Sequence, residues 1–430
     1  MTEQTLIDND IAAVEADWDN DTTTRSGISA ERTVAEDAKL QGRGQENRAL
    51  VEGDKKWQQM PADATALFMP VTIPTRSGSG LTLRNRVVLA PMCQYAVDKT
   101  DGVPTDWHLV HLGSMANGGF SLIVTEAAAV TAEGRISDRD AGIWNDEQAT
   151  GWKRITDYVH SHGAAIAIQL AHAGAKASTY GWLKDLETVG KVGSIPENMG
   201  GWPTVTSTPS DIYGLEPAVE MTKEQIAVSV QSWAEAAKRA DAAGFDMIQI
   251  HAAHGYLIHQ FLSPLSNKRT DQYGGSWENR TRYLREIVQA VAAVWPEDKA
   301  LGIRFSGEDW VEDGWRTADT IKLAQELYSH GVRAFDLSSA GIGPYYGPNG
   351  FGYQVPLAQA VKHSLPEDAF VTAVGKITEA GQAEQILVTG QADGVSIARA
   401  ALGDPQWPNR AAQKLGATKA HPAHYWQGRW

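Results

Sequence analysis

Cysteine is almost missing from this 430-residue chain, with Cys93 standing alone. No intrachain disulfide can form, and a single thiol fits a reducing compartment. The opening stretch MTEQTLIDNDIAAVEADWDNDTTTR has neither a basic start nor an apolar core, so it does not read as a signal peptide. Nowhere is there an apolar run long enough to span a bilayer. These absences lead us to expect a soluble, cytoplasmic protein. Positive charge is also scarce, with 38 Lys and Arg against 52 Asp and Glu and a net charge of −14. That balance argues against nucleic acid or an anionic membrane as the main partner. No G-x-G-x-x-G lies in a strand–turn–helix setting, so a separate dinucleotide fold is not expected.

What the chain does have is length enough for a large α/β core. Residues 1–66 stand apart. They carry 14 acidic and 7 basic side chains, half the net charge, and few large apolar residues. We expect them to be disordered or a loosely docked arm, with residues 67–430 forming the functional domain. Near Phe68 two short strands flank Ser77-Gly78-Ser79-Gly80, a hairpin able to plug the bottom of a barrel. Apolar strands then recur at Val87–Ala90, Leu122–Thr125, Ala165–Leu170, Met247–Ile250, Leu301–Phe305, Ala334–Leu337, Phe370–Val374 and Gly394–Ile397. Helix-period segments separate them, among them Lys223–Ala243, Tyr283–Trp295, Ala318–Ser329 and Glu379–Leu387. Glycine marks five helix-to-strand joints, at Gly118-Gly119, Gly163, Gly244, Gly331 and Gly390. Thr222 with Gln225 three residues on reads as a capping box. Period alone does not separate a barrel from a doubly wound sheet. The count of eight strands, each followed by a helix, predicts a (β/α)₈ TIM barrel.

The most informative stretch is FDMIQIHAAHGYLIHQFLSPLSNKRTDQYGG, Phe245 to Gly275. A buried strand there runs into His251, His254 and Tyr256. Three polar donors at a strand end can polarise a carbonyl and supply a proton. A metal pair and a structural cap of the strand end are the competing readings; the first has no obvious third ligand. The other strand ends carry Pro91-Met92-Cys93, Glu126-Ala127, Gln169, Arg304, Ser338, Gly375 and Arg399, which a barrel would gather on its C-terminal rim. Gly375-Lys376 and Ala398-Arg399-Ala400 follow strands seven and eight, where such barrels bind phosphate. The long segment from Ala171 to Met221 reads as a lid, and its Trp182, Trp202 and Tyr213 either line a pocket or pack beneath it. The C-terminal aromatics Tyr425, Trp426 and Trp430, with Arg429, form a contact surface or fold back on their own barrel.

Taken together, NRVVLAPMCQY, GRISDRDAGIW, IQLAHAGAK, HAAHGYLIHQFLSPLSNKRTDQYGGSWENR and DGVSIARAALGDP resemble the Old Yellow Enzyme family of FMN-dependent ene-reductases. The nearest resemblance is to its thermophilic-like bacterial subgroup, which bears a cysteine on strand one, and it extends from about Phe68 to the C-terminus. The resemblance implies one non-covalent FMN, reduced by NADPH or NADH, that in turn reduces the C=C bond of α,β-unsaturated carbonyl compounds in ping-pong fashion. It implies that Pro91, Met92, Cys93 and Ala127 lie along the flavin ring, Gln169 at its pyrimidine edge and Arg304 by N1–C2. Gly375, Ala398 and Arg399 would serve the phosphate, and His251 and His254 the substrate carbonyl. Tyr256 would be the proton donor, with Tyr95 and Lys176 near the substrate. Arg429 would match an arginine that reaches into the neighbouring subunit of a homodimer or tetramer. Larger relatives carry a cysteine-bound iron–sulfur cluster and further nucleotide-binding domains; with one cysteine, direct reduction by the nicotinamide is expected. Three departures stand out: Ala398 where glycine is frequent, a longer lid after strand three, and the acidic arm. Outside the family, a metal-dependent hydrolase on the same barrel and a flavin-binding protein without turnover are the alternatives.

Overall fold

Short apolar runs bounded by glycine bury best when both strand faces are covered, the condition of a parallel sheet wrapped in helices. The computed structural model describes residues 65–181 and 193–428. The first described element is the turn Ala66–Phe68, whose Ala66 and Leu67 amides donate to the Glu384 carboxylate at 2.7 and 2.8 Å. The rest of the acidic arm lies outside the described residues. Next comes an antiparallel hairpin, β1 (Val71–Ile73) and β2 (Leu81–Leu83). Its Ile73 and Leu83 join Val88, Leu122, Ala167, Met247, Ala300, Ala334 and Phe370 in one buried cluster. These barrel residues sit at or near the starts of their strands, so the hairpin is the expected bottom plug.

The barrel strands are β3 (Val87–Leu89), β4 (Leu122–Ala129) and β5 (Ala165–Ala171), with α1 (Asp106–Asn117) and α2 (Asp146–Ser161) between them. The segment after β5 contains a two-residue parallel pairing, β6 (Val205–Thr206) with β7 (Val219–Glu220), and leads to α3 (Lys223–Ala242). Then follow β8 (Met247–Ala252), α4 (Leu257–Leu262), α5 (Trp277–Val294), β9 (Ala300–Ser306), α6 (Thr317–Ser329) and β10 (Ala334–Ser338). The chain closes with α7 (Val355–Lys362), β11 (Phe370–Ala373), α8 (Ala380–Val388), β12 (Gly394–Ile397), α9 (Arg399–Gly403) and α10 (Trp407–Leu415). Hydrogen bonding closes β3, β4, β5, β8, β9, β10, β11 and β12 into one ring. All eight strands expected from the sequence are there, and the fold is a TIM barrel.

Local chemistry explains the joints. Gly119, Gly163, Gly244, Gly331 and Gly390 all take positive φ, the left-handed geometry that ends a helix. Thr222 and Gln225 form the expected capping box. Boundaries moved where polar residues masked the period. α5 starts at Trp277, not Tyr283, because Ser276 caps it through Asn279 N–H. β4 runs on to Ala129 past Glu126, a charged residue that closes a sequence pattern but finds a partner in the fold. The segment after β5 is more structured than a bare lid, with turns at Gly174–Lys176 and Glu197–Met199. Trp182 lies outside the described residues. Among the described residues no helix is long and apolar enough to cross a membrane.

Candidate active site at the C-terminal rim

The polar centre is built by β8 and the turn that follows it. His251, still in strand, is buried, and His254 sits at φ 61°, a left-handed conformation that a side-chain-bearing residue adopts only at a cost. The turn is fastened from several sides. His254 N–H donates to Ser306 Oγ at 2.9 Å, and Lys176 Nζ donates to the His254 carbonyl at 2.9 Å. Gly255 N–H donates to His259 Nδ1 at 3.0 Å, and His259 Nε2 lies 3.1 Å from the buried Asp309 carboxylate. Gln260 Nε2 donates to the Gly255 carbonyl at 2.7 Å. Strain held by this many bonds is a mark of preorganisation.

The fastening packs two rings against that of His251. The His251 ring lies 5.2 Å from that of His254 and 5.1 Å from that of Tyr256, each pair near perpendicular. Burial, with Arg304 next, holds both imidazoles well below their ordinary value, so they are neutral at pH 7. Ala253 N–H donates to His251 Nδ1 at 3.2 Å, which leaves the proton of the neutral ring on Nε2. His254 Nε2 lies 2.8 Å from Ser338 Oγ, and that hydroxyl also reaches Gln354 Oε1 at 3.1 Å. One serine proton therefore selects the His254 tautomer. Given to Gln354, it leaves His254 protonated at Nε2; given to Nε2, it makes Nδ1–H the donor. Burial first, then Cys93 and Asp140, pushes the Tyr256 phenol well above its ordinary value, so it keeps its proton. Lys176 Nζ stands 5.2 Å from the Tyr256 ring centroid, its ammonium lowered by burial to about 8.

Cys93 and Tyr95 pack with Tyr256 against Ala127, Ile136, Ala171, Ala173 and Ala177. Burial raises the Cys93 thiol well above its ordinary value, which keeps it a protonated, weakly nucleophilic group. Pro91 and Met92 are half-buried in the segment leaving β3, and Gln94 Nε2 donates back to the Met92 carbonyl. Gln169 on β5 donates to Gln249 Oε1 at 2.7 Å. Arg304 is the register partner of His251 across β8 and β9, and its Nε lies 3.0 Å from Asp336 Oδ2.

Across the mouth, Gly375 takes φ 120°; a Cβ there would come within 3.0 Å of Gln354 Nε2 and 3.2 Å of Tyr353. Ala398 caps the start of α9 and Arg399 is exposed. Burial raises the Tyr353 phenol, opposed by the charges of Arg399 and Arg304, so this ring lies in the field of both. The residues fit a phosphorylated aromatic cofactor on two observations. The terminal nitrogens of buried Arg304 form no hydrogen bond to protein among the described residues, and Gly375 lacks the Cβ that would crowd Gln354 and Tyr353 at the mouth.

Several working residues escaped sequence reading: Gln249, Ser306, Asp336, Gln354 and the His259–Asp309 pair. Only strand alternation could have flagged Gln249, two before His251, and Asp336, two before Ser338. Trp202 takes the packing role, its Nε1 bonded to the Glu133 carbonyl and its ring 4.9 Å from Arg135 Cζ. Tyr213 is half-buried. Arg429 and Trp430 lie outside the described residues, and Tyr425 is exposed. Among the described residues no three His, Cys, Asp or Glu side chains are grouped to hold a metal ion.

Residues 66–417 match the model of the NADH:flavin oxidoreductase / NADH oxidase family. The chain is 43% identical over 364 residues to an NADPH dehydrogenase of Geobacillus sp. (strain WCH70), covering 85% of this chain and 98% of that one. Among solved structures, morphinone reductase in complex with tetrahydroNAD matches with TM-score 0.66 and 29% identity, covering 83% of this chain and 92% of that one. An old yellow enzyme homologue from Zymomonas mobilis matches with TM-score 0.66 and 26% identity, over 82% of this chain and 94% of its own.

Proposed function

This chain belongs to the NADH:flavin oxidoreductase / NADH oxidase family, that of the Old Yellow Enzymes, and on that footing we propose that it is an FMN-dependent ene-reductase. The observation that carries the reading is the meeting of neutral His251 and His254 with a protonated Tyr256, one strand away from Arg304. Bound there, FMN would supply hydride transfer between NADPH or NADH and the β-carbon of an α,β-unsaturated carbonyl compound, the two substrates reacting in turn.

The chain's own residues do the rest. His251 donates Nε2–H to the carbonyl oxygen, where negative charge grows during hydride transfer. His254 adds Nδ1–H once Ser338 turns its proton toward Nε2. A neutral imidazole suits this work, since it gives a hydrogen bond without surrendering the proton. Tyr256 delivers its phenolic proton to the α-carbon. Lys176 and Tyr95 border the substrate. Pro91, Met92, Cys93 and Ala127 would flank the cofactor ring, Gln169 and Arg304 would hold its polar edge, and Gly375, Ala398 and Arg399 its phosphate.

The test is the visible spectrum of the purified protein and of cofactor released by heat. Released FMN, bleached by NADPH and restored by a cyclic enone with formation of the saturated ketone, is the expected result. Colourless protein that reconstitutes with nothing, FAD in place of FMN, or flavin that no nicotinamide bleaches would overturn the reading. Arg429 is proposed to complete a neighbouring subunit's pocket in a homodimer or tetramer of this cytoplasmic enzyme, and residues 1–66 to be a separate arm. Mixed dimers of Tyr256→Phe and Arg429→Ala should regain part of the activity; verified hybrids with none would exclude a shared site.

A further inference from the structure

The barrel interior holds a buried pair of which the chemistry above uses only one member. Arg304 on β9 and Asp336 on β10 are register partners, both buried. Arg304 Nε lies 3.0 Å from Asp336 Oδ2, close enough for an ion pair though not aligned as a hydrogen bond. The other carboxylate oxygen accepts from Thr372 Oγ1 at 2.8 Å and Ser396 Oγ at 3.3 Å. Four neighbouring strands therefore contribute one polar belt, running from His251 through Arg304 and Asp336 to Thr372. Below it is a small cavity lined by Gln249, Asp336, Thr372 and Ser396 among apolar side chains.

Burying an ion pair is a poor way to gain stability, because desolvation offsets most of the attraction. This pair is better explained by what it leaves open. Asp336 comes closest to Arg304 at Nε, and the guanidinium's two terminal nitrogens form no hydrogen bond to protein among the described residues. Asp336 is itself held by two hydroxyls, so its carboxylate cannot swing to cover them. The arrangement fixes the guanidinium, keeps its donor end free for a ligand, and neutralises part of its charge within a low-dielectric core.

We infer that Asp336 is a positioning residue that holds Arg304 toward the flavin and sets how much positive charge the bound ring experiences, and so its reduction potential. The inference rests on the proposed flavin site. A full, uncompensated Arg304 would favour the reduced ring, which carries the extra negative charge; Asp336 restrains that preference.

The test is the midpoint potential of FMN-loaded Asp336→Asn, read by spectroelectrochemical titration at pH 7. Removing one negative charge should shift the reduction equilibrium about tenfold or more toward the reduced form, about 30 mV upward for a two-electron couple. Thr372→Val, which strips a hydroxyl from the same carboxylate but keeps its charge, should move the equilibrium by less than about threefold. An unmoved potential in flavin-loaded Asp336→Asn would overturn the inference. So would an equal shift in Thr372→Val, or a folded Asp336→Asn that no longer holds flavin. If Asp336→Asn does not fold, Asp336→Glu decides, since with its charge kept the potential must stay at the parent value, and a tenfold shift refutes the idea. Parent protein without flavin would sink the proposed function; a loaded parent with an unmoved variant would sink this inference alone.

Discussion

Replacing Tyr256 by phenylalanine removes the phenolic hydroxyl and almost no volume. The ring is held between His251, 5.1 Å away centroid to centroid, and Lys176 Nζ at 5.2 Å, and both contacts survive the loss of a hydroxyl. A general acid contributes about 10²–10⁴-fold. The lower end applies here, because the Lys176 ammonium, 5.2 Å from the ring centroid, is a second proton donor at the site. We therefore expect alkene reduction to slow about 10²-fold, equivalent to about 2.7 kcal/mol in the barrier. The same geometry predicts a change in pH profile. In the parent the phenol is held protonated well above its ordinary range and does not titrate near neutrality. In Tyr256→Phe the remaining rate should fall as pH rises through about 8, where Lys176 loses its proton. The assay is rapid mixing of each half-reaction alone. Cofactor reduction by NADPH needs no proton from this phenol and should stay within about twofold of the parent. Equal slowing of both halves, or an oxidative half as fast as the parent's, would refute the assignment.

Gly375→Ala forces a side chain into a left-handed loop and into contact with Gln354 and Tyr353. A strain of about 1–2 kcal/mol should weaken FMN binding tenfold or so, by fluorescence titration of released flavin, with little change in fold by circular dichroism. Cys93→Ala should retain turnover and shift the flavin potential, because the thiol is kept protonated and no base lies beside it in sequence; a folded, flavin-loaded variant without activity would contradict this. Burial, then Glu126, raises the Asp140 carboxyl to about 7, above its unfolded value near 3.8. Its stabilising contribution is thus fully present below the unfolded value and lost as pH rises through about 7. Relative to Asp140→Asn, the parent should lose about 2–3 kcal/mol of stability between pH 5 and pH 8, read from urea midpoints. A difference that is flat or of opposite sign would show that Asp140 is ionised throughout.

The eight strands were legible because each is an apolar run with glycine at the helix joints, and both signals are local. The candidate site was legible in part for the same reason. His251, Arg304 and Gly375 all lie where a strand ends, and a closed parallel barrel gathers strand ends on one rim whatever else the chain does. By itself, then, the sequence determined the count and order of elements, the rim of the barrel that carries the candidate site, and the residue types available there. The protonation states were decided only by the fold. His251 is neutral because it is buried, with Arg304 one strand away, and its proton sits on Nε2 because Ala253 N–H turns back onto Nδ1. Ser338 chooses the His254 tautomer from 84 residues along the chain. Asp336 meets Arg304 through strand register, and Glu126 meets His108 through the packing of β4 against α1. Which atom bears a proton, and how much charge a neighbour sees, depends on through-space distances of 3–5 Å between residues far apart in the chain. Local pattern carries no record of those distances; closure of the barrel creates them.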